Sequence, residues 1–114
     1  MEDKLIELLE SLGYPVYRQG SFTEGQEYPR SFFTFWNPES PDHSHYDDAN
    51  YGTEWTFSVY FYSVDPELVY KMISDARILL KQNKWIVPSK GFDAISDVST
   101  HTGRGLEVLF LETD

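Results

Sequence analysis

The sequence contains no cysteine, and its basic residues are scarce. Without cysteine the chain can form no disulfide framework, no thiol nucleophile and no zinc–thiolate site. The chain has 9 Lys and Arg residues and 19 Asp and Glu residues, so its formal net charge is −10. A protein that binds nucleic acid by neutralising phosphates needs clusters of Lys and Arg. The composition therefore argues against specific nucleic-acid binding.

Long hydrophobic runs are also missing. The longest are only a few residues, far short of the roughly 20 that span a bilayer. The first residues, Met1-Glu2-Asp3-Lys4, are acidic and lack the basic and apolar stretches of a signal peptide. We therefore expect no membrane partner and synthesis in a cytoplasm.

The chain does have the means to build a core. It has 114 residues, of which 40% are hydrophobic and 17% aromatic. That length suits a single domain, and the apolar content argues against global disorder. No repeat or linker divides the sequence, so we expect one domain over residues 1–114.

Two segments have the apolar spacing of amphipathic helices. The first runs over about Glu2–Leu12 and is followed by Gly13 as a C-cap. The second begins at Asp65-Pro66-Glu67, where Asp65 can accept from free backbone N–H groups and Pro66 suits the first turn. Its apolar side continues to about Gln82.

Several segments have the composition or the alternation of strands. The clearest is the segment after Thr53, where apolar and polar residues alternate with a period of two. Thr100–Gly105 contains two glycines and is predicted as a turn. The predicted extended segments are Tyr14–Tyr17, Ser31–Trp36, Glu54–Ser63, Trp85–Val87, Phe92–Ser99 and Leu106–Glu112. Strands joined by short turns, with only two helices, predict an α+β fold with a mostly antiparallel sheet and both helices packed on one face.

The segment Glu39–Gly52 is polar and acidic and is predicted as a long exposed loop. Its imidazole and carboxylate groups are ligand types for divalent metals. Loops rich in Pro, Asp, Ser and Asn are usually only solvated, however, and metal sites need ligands on rigid elements. We therefore expect no metal site here. The groups concerned are Asp42, His43, His45, Asp47 and Asp48.

Catalytic motifs are not evident. The sequence has no Gly-x-Ser-x-Gly elbow and no Gly-x-x-x-x-Gly-Lys-Ser/Thr loop. Gly103-Arg104-Gly105 is too short to cradle a phosphate. We expect a protein that is not an enzyme and that has no cofactor.

Aromatic residues exceed what one face of a small sheet can bury. On the alternating strand, Tyr60 and Tyr62 point away from Phe57 and Phe61. We expect these two tyrosines and one of the pair Phe33 and Phe35 to need cover. Because aromatic residues are enriched at the centres of protein interfaces, this surplus predicts self-association or a protein partner.

The order of elements resembles the tail terminator, or tail completion, proteins of long-tailed bacteriophages and Gram-positive prophages. The resemblance covers nearly the whole chain. The segments that carry it are Lys4–Val16, Tyr28–Phe35, Tyr46–Asn50, the alternating strand to Ser63, Asp65-Pro66-Glu67-Leu68 and Leu106–Leu111. His43-Ser44-His45 has no counterpart in the pattern.

The resemblance implies a structural virion protein. Such proteins form a ring, usually a hexamer, that ends tail-tube polymerisation and faces the head connector, with DNA passing through the ring. The implied partners are other copies of the chain, the major tail tube protein and the head–tail connector protein. The implied location is the bacterial host cytoplasm during assembly and then the head-proximal end of the virion tail. The candidate partner-binding residues are Asp42, His43, His45, Tyr46, Asp47, Asp48, Tyr60 and Tyr62.

Two other interpretations remain open from the sequence. Acidity and spare aromatic residues also suit an immunity-type protein that blocks a basic nuclease. A small metal-dependent enzyme using His43 and His45 is the third possibility.

Overall fold

A computed structural model of the chain describes residues 2–18, 29–36, 53–94 and 100–112. These residues form two helices and a sheet of five strands. The elements in chain order are α1 (Glu2–Glu10), β1 (Val16–Arg18), β2 (Ser31–Trp36), β3 (Thr53–Ser63), α2 (Pro66–Gln82), β4 (Phe92–Ala94) and β5 (Thr102–Glu112).

The sheet has the strand order β1-β2-β3-β5-β4. Only β1 and β2 pair in parallel, and the other pairs are antiparallel. The long strands β3 and β5 form the centre, in a register that runs from Thr53 opposite Glu112 to Ser63 opposite Thr102. The predicted α+β fold with a mostly antiparallel sheet is confirmed.

Both helices pack on the same face of the sheet, as predicted. Helix α2 buries Val69, Ile73 and Ala76 against β3 and β5. Leu5 and Leu9 of α1 are fully buried in the same apolar cluster. Neither helix has the length and apolar character needed to cross a membrane, within the residues that the structure describes.

The core between sheet and helices is built on phenylalanine. The rings of Phe33 and Phe61 lie 4.7 Å apart between centroids, and those of Phe35 and Phe57 lie 6.2 Å apart, both pairs edge to face. All four side chains are buried. Each contributes roughly 1.5–3 kcal/mol through the hydrophobic effect.

Helix α2 begins where the sequence predicted. Asp65 Oδ1 accepts a hydrogen bond from the backbone N–H of Glu67 at 3.0 Å, and Pro66 occupies the first turn. The Asp65 N–H itself donates to Ser63 Oγ at 3.0 Å. These two hydrogen bonds stabilise the connection between the end of β3 and the start of α2.

Several predictions differ from the structure or lie outside the described residues. The prediction of a turn over Thr100–Gly105 is wrong at its C-terminal half, because β5 already begins at Thr102. The first helix ends at Glu10 rather than Leu12, although Gly13 has the positive φ of a C-terminal cap, +97°. The predicted loop Glu39–Gly52 and the end of the predicted strand Phe92–Ser99 lie outside the described residues.

Candidate partner-binding surface

The face of the sheet opposite the helices, called the outer face below, carries the candidate site. Alternation along β3 sends Phe57, Val59 and Phe61 into the core and their neighbours to the outer face. Residues that pair with these outer-face residues on the neighbouring strands lie on the same face of the sheet. The described outer-face residues are Tyr17, Phe32, Thr34, Trp36, Glu54, Thr56, Ser58, Tyr60, Tyr62, Ile86, Phe92, Ala94, Gly103, Gly105, Glu107, Leu109 and Leu111.

Five aromatic rings on this face form a continuous row, called the aromatic row below, that crosses the sheet from β1 to β4. Its successive members are Tyr17, Phe32, Tyr62, Tyr60 and Phe92. Their centroids are separated in turn by 6.0, 5.5, 6.2 and 6.0 Å. Offset and edge-to-face contacts at these distances are favourable. The row therefore joins the strands β1 to β4 by side-chain contacts on the face that the helices leave open.

Glycines in β5 make room for the two tyrosines of the row. A Cβ at Gly105 would lie 2.7 Å from Cδ1 and Cε1 of Tyr60, and a Cβ at Gly103 would lie 2.5 Å from Cε1 of Tyr62. Real Cβ atoms do not approach other heavy atoms so closely, so each ring lies against the glycine backbone of the next strand. This packing is the reason that two glycines occur inside a strand, where glycine is ordinarily unfavourable.

His101 lies beside Phe32, the second member of the row counted from β1. Its Nε2 donates a hydrogen bond to the carbonyl oxygen of Pro29 at 2.8 Å, and its Nδ1 lies 3.0 Å from the hydroxyl of Thr100. The imidazole also contacts the ring of Phe32 edge to face at 5.9 Å. His101 thus has a structural role in joining the start of β5 to the segment before β2.

Four large apolar side chains of the outer face remain substantially exposed. Trp36 is 42% exposed, Ile86 47%, Phe92 38% and Leu111 44%. The charged residues among the described part of this face are Glu54 and Glu107, both acidic. An apolar and aromatic surface whose described charges are acidic is suited to contact with another protein.

Two of the predicted partner-binding residues can be located. Tyr60 and Tyr62 both lie half-buried in the aromatic row. The expectation that one of Phe33 and Phe35 would need cover is wrong, because both point into the core and are at most 1% exposed. Phe32 of β2 lies on the outer face instead, although its side chain is only 4% exposed. Spacing alone could have found it, since residues two apart in a strand share a face.

The remaining predicted residues cannot be placed. Asp42, His43, His45, Tyr46, Asp47 and Asp48 lie outside the described residues. Within residues 2–18, 29–36, 53–94 and 100–112, no three His, Asp or Glu side chains come together as metal ligands would.

No protein-family model matches the chain, and no curated protein matches it. The functional interpretation therefore depends on the fold, the outer face and the residue pattern along the chain.

Proposed function

We propose that the chain is the tail terminator of a long-tailed bacteriophage or prophage. In this function, copies of the chain form a ring on the head-proximal end of the tail tube. The ring stops polymerisation of the tube protein and presents a surface to the head–tail connector. The protein acts by binding other proteins and catalyses no reaction.

The observation that carries the proposal is the outer face. One face of the sheet is filled by α1 and α2, whereas the other combines the aromatic row with the exposed side chains of Trp36, Ile86 and Leu111. Apolar side chains exposed on one face favour burial against a partner, because burial stabilises by roughly 25 cal/mol per Å² of apolar surface. A subunit of an assembly has such partners available.

The charge supports the same function. A net charge of −10 disfavours adhesion of DNA, because phosphates and carboxylates repel each other. Acidic residues facing the channel of a ring would let DNA pass without being held. The chain would work first in the host cytoplasm during assembly and then at the head-proximal end of the virion tail.

Deletion of the gene from its phage or prophage tests the function. We expect electron micrographs of the induced lysate to contain tail tubes longer than normal and heads without tails. Expression of the wild-type chain in trans should restore tails of normal length joined to heads. Normal, joined tails in the deletion strain would contradict the proposal.

The acidic composition also suits the immunity-type alternative, in which the chain blocks a basic partner. Native mass spectrometry separates the two functions. Rings or concentration-dependent oligomers support the tail terminator. A strict monomer that forms a one-to-one complex with a basic nuclease encoded beside it supports the alternative.

A further inference from the structure

A cavity between α2 and the β4–β5 edge of the sheet is lined by several cationic side chains, although the protein as a whole is acidic. It has a volume of about 330 Å³, and its described lining consists of Tyr70, Ser74, Arg77, Lys90 and Arg104. Tyr70, Ser74 and Arg77 are spaced by four and three residues and so share one side of α2. Arg104 comes from β5, and Lys90 comes from the segment before β4.

Arg104 is held in place before any ligand binds. Its guanidinium carbon lies 4.9 Å from the centroid of the Tyr70 ring, an ordinary cation–π distance. Its Nη1 donates to Asp93 Oδ1 at 2.9 Å, and its Nη2 donates to the carbonyl oxygen of Gly91 at 3.2 Å. Gly91 has a φ of +115°, and a Cβ there would lie 3.1 Å from Arg104 Nε. The Arg104 side chain can therefore take this position only because residue 91 is a glycine and has no side chain.

No carboxylate in the described lining of the cavity balances these cations. This lining contains three cationic side chains and no carboxylate. Asp93 binds Arg104, but its side chain is 82% exposed, so it neutralises the cavity weakly. Nε of Arg77 is buried and has no hydrogen-bond partner. A buried donor without an acceptor is destabilising, so an anionic acceptor entering the cavity would be favoured.

The exposed side of α1 has the complementary charge. Asp3, Glu7 and Glu10 are exposed and are spaced by four and three residues, which places them in one acidic stripe along the helix. Like charges at these spacings destabilise a helix, and the last turn of α1 contains no basic residue to offset them. The cation of this helix, Lys4, instead lies over the ring of Phe110 at 5.9 Å. The stripe is thus a surface that a cationic partner would stabilise.

The stripe and the cavity lie on different elements of the fold. Helix α1 contacts β1, which is one edge strand, whereas the cavity borders β4 and β5 at the other edge. This arrangement favours a contact between copies over one within a copy. Between copies it is a head-to-tail contact, which generates a ring when the rotation between neighbours closes.

We infer that the Arg77–Lys90–Arg104 cavity of one copy binds the Asp3–Glu7–Glu10 stripe of the next copy. The inference rests on the proposed function, since it names the contact by which the ring would form. Arg104 supplies a guanidinium group that is already held in place, Arg77 supplies a second guanidinium group, and Ser74 supplies a hydroxyl. Lys90, which is exposed, supplies the charge at the mouth.

Charge exchange between the two surfaces tests the contact on the full-length chain. Lys90→Glu and Glu7→Lys are each expected to raise the dissociation constant for self-association at least about tenfold, because each places like charges together. The double variant, with both substitutions in one chain, is expected to regain association, since its charges are again complementary. The measurement is sedimentation velocity over a concentration series, supported by native mass spectrometry.

Lys84→Glu is the matched control for Lys90→Glu, because Lys84 is an exposed cation outside the described lining of the cavity and both substitutions change the net charge by the same amount. This control should associate like the wild type, and circular dichroism should give every variant the wild-type spectrum. Oligomers that persist in both single variants overturn the proposed contact, although a ring could still form through another interface. Failure of the double variant to recover, or a wild-type chain that is monomeric at every concentration, overturns the contact as well. Normal tails in the gene deletion, by contrast, bear on the tail-terminator function alone.

Discussion

The ring of Tyr60 lies against the backbone of Gly105 on the neighbouring strand, at a distance that leaves no room for a Cβ. Phe92 closes the same site from β4, with its Cε2 2.9 Å from the position such a Cβ would take. The aromatic row therefore depends on a glycine at this position of β5.

Gly105→Ala is expected to lower the free energy of unfolding by about 1–3 kcal/mol, because the added methyl group forces the Tyr60 or Phe92 ring to move. Urea denaturation measures the loss. Tyr60→Ser in the same chain should remove part of the clash, so the double variant should lose less stability than the two single losses added together. Additive losses would contradict the direct contact between Tyr60 and residue 105.

Trp36→Ser and Ile86→Ser test the outer face as an interface. Both side chains are nearly half exposed, so the free energy of unfolding should change by no more than about 0.5 kcal/mol. Self-association or attachment to tail tubes should weaken if the outer face binds a partner. Ile78→Ser is the control, because Ile78 is 50% exposed on α2, on the other side of the sheet. Equal effects of all three substitutions would contradict a role specific to the outer face.

Asp65→Ala should lower the free energy of unfolding by about 0.5–2 kcal/mol. The substitution removes the acceptor for the Glu67 N–H at the start of α2. Asp65→Asn keeps an oxygen acceptor in the same place and should retain most of the stability. Thermal denaturation of the three chains side by side makes the comparison, and an equal loss in both variants would show that the charge, rather than the hydrogen bond, is responsible.

Lys71 and Asp75 provide a prediction about pH. Lys71 Nζ donates a hydrogen bond to Asp75 Oδ2 at 2.8 Å. This hydrogen bond and the negative charge of Asp75 raise the pKa of Lys71 above its ordinary value of 10.5. When the pKa of a lysine is higher in the folded than in the unfolded protein, its charged form stabilises the folded state. This stabilisation is complete at a pH below the pKa of the unfolded state, and it is lost as the pH rises through the pKa of the folded state. The pair is exposed, so the effect on stability is small. NMR titration should find the pKa of Lys71 lower in Asp75→Asn, and an unchanged pKa would contradict the hydrogen bond.

Much of the fold could be predicted because its signals are local. The bounds of β2 and the start of α2 were predicted correctly, since a run of strand-forming aromatic residues and a capping residue act within a few positions of the chain. The outward direction of Tyr60 and Tyr62 was predicted for the same reason. The prediction failed at Gly103 and Gly105, where glycine was taken as a sign of a turn. Glycine occurs at these two positions because the rings of Tyr62 and Tyr60 on β3 lie against the backbone there.

The sequence by itself determined the α+β class, the acidic and cysteine-free character and the amphipathic sides of both helices. These properties follow from composition and periodicity, which the folded state does not change. Only the tertiary structure decided which aromatic side chains meet in one row, and which cations meet in one cavity. Arg77, Lys90 and Arg104 are separated by 13 and 14 positions along the chain, and no local pattern relates them. They come together because α2 packs over β5 and the segment before β4 returns to the edge of the sheet.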